Sequence, residues 1–355
     1  MKKHSNSIGK VKKKSSLLLF ILLGIGIFSA YSQKMPTGMK DSANKRKSNM
    51  SDGMMGSPGL VPTDIMIGQA GRWMVGYQVM FDKMNGNLQG VHSISNEKIL
   101  QNFMASPTDM SMQMHMAMVM YAPTKKLTLM VMAPYIRKSM NHVMQNGDKF
   151  NELTKGIGDI ELRGLYSIYD AKNSKHKVLL NAGIGLPTGS INQRMEDMRL
   201  EYPMQIGSGT VSVMPGITYL GLAKPWGWGV QFIPTLRMGK NSNGYRLGNY
   251  YKTGFWAARQ LTTWLSLSAN ADAIIWQNIK GTDKVLDNMD EPTKDIMLQG
   301  GKRLDIAMGI SLHPVRSFLK GSQFIANISM PVIQSLKGPQ LKRRSVIKLG
   351  WQREF

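Results

Sequence analysis

The chain has 355 residues, a formal net charge of +23, 30 methionines and no cysteine. Without cysteine there is no disulfide framework, no thiolate metal site and no thiol nucleophile. The basic excess is dispersed, and should the chain be exported it points away from nucleic acid and towards anionic outer-membrane lipid headgroups, lipopolysaccharide phosphates or anionic solutes.

Export is read at the N-terminus. Lys2, Lys3, Lys10, Lys12, Lys13 and Lys14 form a basic region, Leu17 to Phe28 an apolar run, and Ala30-Tyr31-Ser32 a small-residue cleavage site, so residues 1–32 read as a signal peptide. The run is too short for a spanning helix, which needs roughly 20 residues, and no second one follows. Any membrane crossing must then fall to a closed β-barrel, the other structure that pairs every backbone group in lipid. From Gln33 to about Pro62 the chain is rich in Met, Ser, Gly and Lys, and residues 33–71 are expected to be a disordered periplasmic tether.

Residues 72–355 carry alternating apolar and polar segments of about 9 to 15 residues, the signature of membrane strands. About twelve are expected, over residues 72–84, 110–121, 126–135, 159–169, 177–186, 210–220, 227–237, 249–259, 261–275, 301–312, 323–332 and 344–355. Long connections such as Asn85 to Asp109, Ile136 to Gly158 and Trp276 to Gly300 alternate with tight ones such as Ala122-Pro123-Thr124-Lys125. The fold expected is an all-β transmembrane antiparallel barrel of the Gram-negative cell outer membrane, with long extracellular loops, short periplasmic turns and an even strand count.

Faces follow from the period of two. Leu265, Leu267, Ala269, Ala271, Ala273 and Ile275 would meet lipid, with Ser266, Ser268, Asn270 and Asp272 turned inward. Val178, Leu180, Ala182 and Ile184 alternate with Asn181, Gly183 and Gly185 in the same way. Glu161 and Arg163 share an inner face as a lumenal ion pair, so Glu161, Arg163, Asn181 and Asp272 are the candidate lumen-lining residues. The terminal Phe355, with Trp351, Leu349 and Ile347 at alternate positions, resembles the signal read by the barrel-insertion machinery, from which Arg353 departs.

Met110, Met112, Met114, Met116, Met118 and Met120 occupy every second position, with Met130 and Met132 on the next strand. The expectation is that this stripe faces lipid, its thioethers standing in for leucine. The alternative makes the soft thioethers a ladder for Cu(I) or Ag(I), assisted by His115 and His142. If the stripe faces lipid, only the cluster Met140, His142 and Met144, placed in the following loop, could bind metal.

No catalytic arrangement stands out: there is no HExxH, no GxSxG and no phosphate-cradling loop, since Gly156-Ile157-Gly158-Asp159 opens a strand and not a helix. Ser139 with His142 is the only pair that a lipid hydrolase could use. No cofactor and no enzyme activity are expected, copper apart.

Gly156-Ile157-Gly158-Asp159-Ile160, Gly185-Leu186-Pro187-Thr188-Gly189-Ser190, Gln205-Ile206-Gly207-Ser208-Gly209-Thr210 and Pro215-Gly216-Ile217-Thr218-Tyr219 resemble the outer-membrane transporter family of the meta-pathway of phenol degradation. The stretch Met112 to Tyr135 looks like a Met-rich branch of it. The resemblance implies a porin-like transport barrel and supplies no site residue. The expected function is passage of a small solute, hydrophobic or aromatic; the rivals are copper or silver handling and a structural barrel without transport.

Overall fold

The computed structural model describes residues 70–171, 175–314 and 318–355. The signal segment and nearly all of the tether lie outside the described residues. The strands are β1 (Trp73–Gly90), β2 (His92–Ile94), β3 (Ala105–Thr124), β4 (Leu127–Met144), β5 (Lys149–Ile157), β6 (Ile160–Asp170), β7 (His176–Leu186), β8 (Arg194–Met195), β9 (Met198–Arg199), β10 (Ser212–Ala223), β11 (Trp226–Arg237), β12 (Tyr250–Gln260), β13 (Leu265–Trp276), β14 (Gly301–Leu312) and β15 (Ser322–Glu354). One short helix, α1 (Asn96–Ile99), follows β2.

Pairing runs antiparallel through β1, β3, β4, β6, β7, β10, β11, β12, β13, β14 and β15, and β15 returns to β1, so the sheet closes on itself. Eleven elements form this ring, and the last of them folds back on itself. Its first half pairs with β14 and its second with β1. Gln352 donates to Gln323 and Gln334 donates to the Arg343 carbonyl, which lays the halves side by side about Gly338. The barrel therefore has twelve staves, and its seam is sealed where Phe355 and Trp73 exchange backbone hydrogen bonds.

Most staves are 11 or 12 residues long. At ~3.3 Å per residue and a tilt near 40°, such staves span roughly the apolar thickness of a bilayer. Their outer faces are apolar: Leu180, Ile184, Phe255, Leu267, Ile275, Ile306, Ile347 and Leu349 are all exposed. Trp73, Tyr166, Tyr169, Trp226, Trp264 and Phe355 are exposed about the end where Trp73 meets Phe355, as an interfacial aromatic girdle requires.

The expected long loop Ile136 to Gly158 is corrected. β4 continues to Met144, and β5 runs back along it as a hairpin ladder beyond the reach of β6. Arg137, Asn141, Lys149, Asn151 and Lys155 are exposed on that ladder. A search for lipid-facing apolar residues stops where the outer face turns polar, although the hydrogen-bonded ladder does not. The same reason extends β1 and β3 into the segment expected as the loop Asn85 to Asp109, and keeps 333–343 extended.

Three of the four motifs carrying the family resemblance, at 156–160, 185–190 and 205–210, meet in one knot between β6, β7 and β10. Asp159 accepts from the Gly189 amide (3.0 Å), the Ser208 amide (2.9 Å) and the Ser208 hydroxyl (2.6 Å). Thr188 donates to the Gly158 carbonyl at 2.8 Å and accepts from the Ile160 amide at 3.0 Å. Gly189 and Gly207 lie so close that a Cβ on Gly189 would stand 2.6 Å from the Gly207 Cα. These motifs tie loops to staves. Asp159→Ala leaves two partly buried amides and a hydroxyl without their acceptor, so the folded barrel should lose at least ~2 kcal/mol in urea unfolding followed by heat-modifiable gel mobility. Unchanged unfolding would show that the knot is not structural.

Candidate functional site

The inner wall of β1, β3 and β4 is built of thioethers. On β3, Met110, Met118 and Met120 are 6, 7 and 2 % exposed, whereas Val119 between the last two is 42 % exposed. The methionine stripe faces the lumen, and the expectation that it faces lipid is overturned. The reason lies in the neighbouring strands. Met74, Met80 and Met84 of β1 stand opposite Met120, Met114 and Met110, and β4 sets Met130, Met132 and Met140 opposite Met120, Met118 and Met110. Stacked in register, unbranched thioethers interdigitate into a continuous surface, and Met74, Met118, Met120, Met130 and Met132 form a buried cluster without any other residue type. The opposite face of β3 and β4 offers Val119, Leu129 and Val131 to lipid.

The other staves make the lumen polar. Arg163 Nη2 lies 2.7 Å from Glu161 Oε2, Lys252 Nζ 3.0 Å from Asp272 Oδ2, and Arg303 Nε 2.8 Å from Asp305 Oδ1. Arg343 joins Asp82 of β1 to this belt by a short charge-assisted bond and reaches Asp305 Oδ2 at 3.9 Å. A cavity of about 510 Å³ runs between the two walls, bordered by Met80, Met116, Met118 and Met132 and by Glu161, Arg163, Lys252, Asp272, Asp305 and Arg343. Three of the four lumen candidates, Glu161, Arg163 and Asp272, border it. Asn181 also points inward, but it is 7 % exposed and donates to Thr218 Oγ1 at 2.9 Å, packed into the wall. Asp82, Asp305 and Arg343 were not legible as a unit, because 261 residues separate Arg343 from Asp82 and only closure joins them.

The metal candidates part company. Met140 and His142 lie on β4 and not in a loop, 1 % exposed each and turned inward. Met144 ends the strand at the rim, 37 % exposed. His115 points away from the lumen, with Nδ1 2.7 Å from the exposed Tyr77 hydroxyl, so it cannot assist the lumenal thioethers. Ser139 accepts from Asn151 at 2.9 Å, on the face of β4 opposite His142, which removes that pair as a hydrolase site.

The end of the lumen remote from Trp73 and Phe355 is narrowed. The connection between β7 and β10 folds inward at the 3-10 turn Tyr202–Met204. Lys138 donates to the Pro203 and Gln205 carbonyls at 2.7 and 2.6 Å, and Thr154 donates to the Met204 carbonyl at 3.0 Å. Leu200 and Met204 pack against Met110 and Met140, and Tyr202 packs with Tyr245 and Ile279 of two further loops.

No protein-family model and no curated protein matches the chain. Among solved structures it is similar to an outer-membrane channel from Pseudomonas putida F1, at 12 % identity and a TM-score of 0.59, covering 83 % of this chain and 99 % of that one. Weaker likenesses are to the translocator domain of the autotransporter NalP from Neisseria meningitidis (13 %, TM-score 0.41, 82 % and 91 % covered) and to a FadL homologue from Pseudomonas aeruginosa (7 %, TM-score 0.38, 79 % and 89 % covered). The chain has the closed antiparallel fold of an outer-membrane β-barrel.

Because the chain lacks cysteine, the orientation of the stripe can be read by single-cysteine labelling. In the folded barrel in lipid vesicles, Met116→Cys should react with a water-soluble maleimide and Ala117→Cys should not. The reverse pattern would return the stripe to the lipid.

Proposed function

We propose that the barrel is a passive channel of the Gram-negative outer membrane for a small solute with an apolar or aromatic body and a polar group. One observation carries this reading: the cavity has a thioether wall on one side and an ion-paired wall on the other. Thioethers are polarisable and adapt to irregular apolar shapes, including aromatic rings. The charged belt orients a polar end and, being internally paired, offers no single deep trap. The motif resemblance to the phenol meta-pathway transporter family supports a transport barrel and leaves its cargo open. Phe355 at the seam and the basic surface are assigned to the insertion machinery and to lipopolysaccharide, and no step of this reading needs an enzyme.

A second reading is favoured by the lumenal placement of the stripe. Thioethers lining a passage are donors that Cu(I) or Ag(I) can meet in transit, which a lipid-facing stripe could not offer.

Vesicle flux and metal binding separate the two. Met116→Trp, filling the cavity beside Met118, should lower uptake of a small aromatic solute at least tenfold while the barrel stays folded. Absence of both solute flux and conductance in the unaltered protein would leave a structural barrel. The triple change Met114→Leu, Met116→Leu and Met118→Leu keeps shape and removes soft donors; under the solute reading, flux persists and Ag(I) binding by isothermal titration is unchanged. Loss of Ag(I) binding together with copper sensitivity of the host would favour the metal reading.

A further inference from the structure

Where the inward-folded loop meets the wall, four ionisable side chains from four separate segments converge: His142 of β4, Glu152 of β5, Glu201 beside the turn Tyr202–Met204, and Glu291 from the connection between β13 and β14. One ligand atom from each of His142, Glu152 and Glu201 lies within 4.8 Å of the others. His142 Nε2 is 3.3 Å from Glu291 Oε2. All four are buried, Glu201 completely.

Several of their polar atoms lack a hydrogen-bond partner. Both carboxylate oxygens of Glu201, Oε2 of Glu152 and Nδ1 of His142 are buried and make no hydrogen bond, while His142 Nε2 has its ion-pair contact with Glu291. Glu201 precedes the 3-10 turn, where an acidic side chain would ordinarily cap free amides, yet it makes no such bond and turns to the cluster instead. The imidazole is held by stacking on Phe150, with centroids 4.7 Å apart and planes 8° from parallel. The nearby cations do not resolve the excess of acid. Lys294 Nζ is 3.0 Å from Asp290 and only 4.0 Å from Glu291 Oε1, and Lys138 is engaged by the Pro203 and Gln205 carbonyls.

Buried carboxylates aimed at one another are costly unless paired or bound to metal. One imidazole with two or three carboxylates is a donor set for a borderline divalent ion of the first transition row, zinc or manganese, and too hard for the monovalent soft ions that suit thioethers. The apolar shell of Met140, Leu200 and Met204 around this point would exclude water from the bonds.

We infer that His142, Glu152 and Glu201, with Glu291 beside them, form a binding site for one divalent transition-metal cation, which pins two long loops to the inner wall of the barrel. This site is distinct from the thioether wall and does not depend on what the channel carries. The ion would hold the inward-folded loops against the wall.

The experiment uses the full folded barrel in detergent, stripped with EDTA and then titrated separately with ZnCl2 and MnCl2. Metal content after dialysis is read by mass spectrometry and thermal stability by heat-modifiable mobility. The unaltered protein should retain one equivalent of metal and gain several degrees in melting temperature. His142→Ala and Glu201→Gln should each lose at least tenfold in affinity and lose that gain, while Glu161→Gln, in the open lumen, keeps both. Glu201→Gln is nearly isosteric and removes a buried charge, so it folds whether or not a metal binds. Absence of retained metal in the unaltered protein, with Glu201→Gln more stable than it, would show that a shared proton and not a cation holds the cluster, and would overturn the proposal. Metal retained equally by all variants would place the ion elsewhere and overturn it too.

Discussion

The constraint on which everything else rests is that backbone amides and carbonyls in lipid have no water to bond with. Each unpaired one costs several kcal/mol, so a spanning sheet has to close. Here closure is made by a single long element, β15, folded so that one half completes β14 and the other seals against β1. That seam brings Arg343 against Asp82, and Phe355 against Trp73. Neither contact exists in an open sheet, so the charged belt of the lumen is itself a consequence of closure.

Once the sheet is closed, the period of two divides every stave into a lipid face and a lumen face, and the two obey different chemistry. On most staves the division is the ordinary one, isoleucine, leucine and aromatics outward with serine, asparagine and charge inward. β1, β3 and β4 depart from it by turning methionine inward. The result is a lumen with two characters, one wall soft and apolar, the other ion-paired. A narrow polar pore would favour hydrated ions, and a wholly apolar one would dewet.

The mouth is governed by a third kind of contact. The inward loop is held by lysine and threonine bonds to its backbone, by the Asp159 knot at the base of the neighbouring staves, and by the His142 cluster at its tip. The first two are complete within the protein. The third leaves buried carboxylate oxygens of Glu201 and Glu152 without a hydrogen-bond partner, and this difference is what the proposed cation would answer.

Local pattern determined much of this molecule. The alternation that placed the staves is a property of neighbouring residues, so Leu267 and Ile275 against Ser268 and Asp272, or Ile184 against Gly183, could be assigned to faces before any fold was known. The spacing that paired Glu161 with Arg163 is equally local. What local pattern could not decide is which face of β3 is inside, because a thioether face opposite Ala117, Val119 and His115 reads as half-apolar on both sides. Register with β1 and β4 decided it, by stacking methionine on methionine and leaving Val119, Leu129 and Val131 for lipid. Tertiary structure alone also brought together Asp82 with Arg343 and His142 with Glu152, Glu201 and Glu291. The sequence carries no period linking these residues, and only ring closure and the inward fold of the loops place their charges within bonding distance.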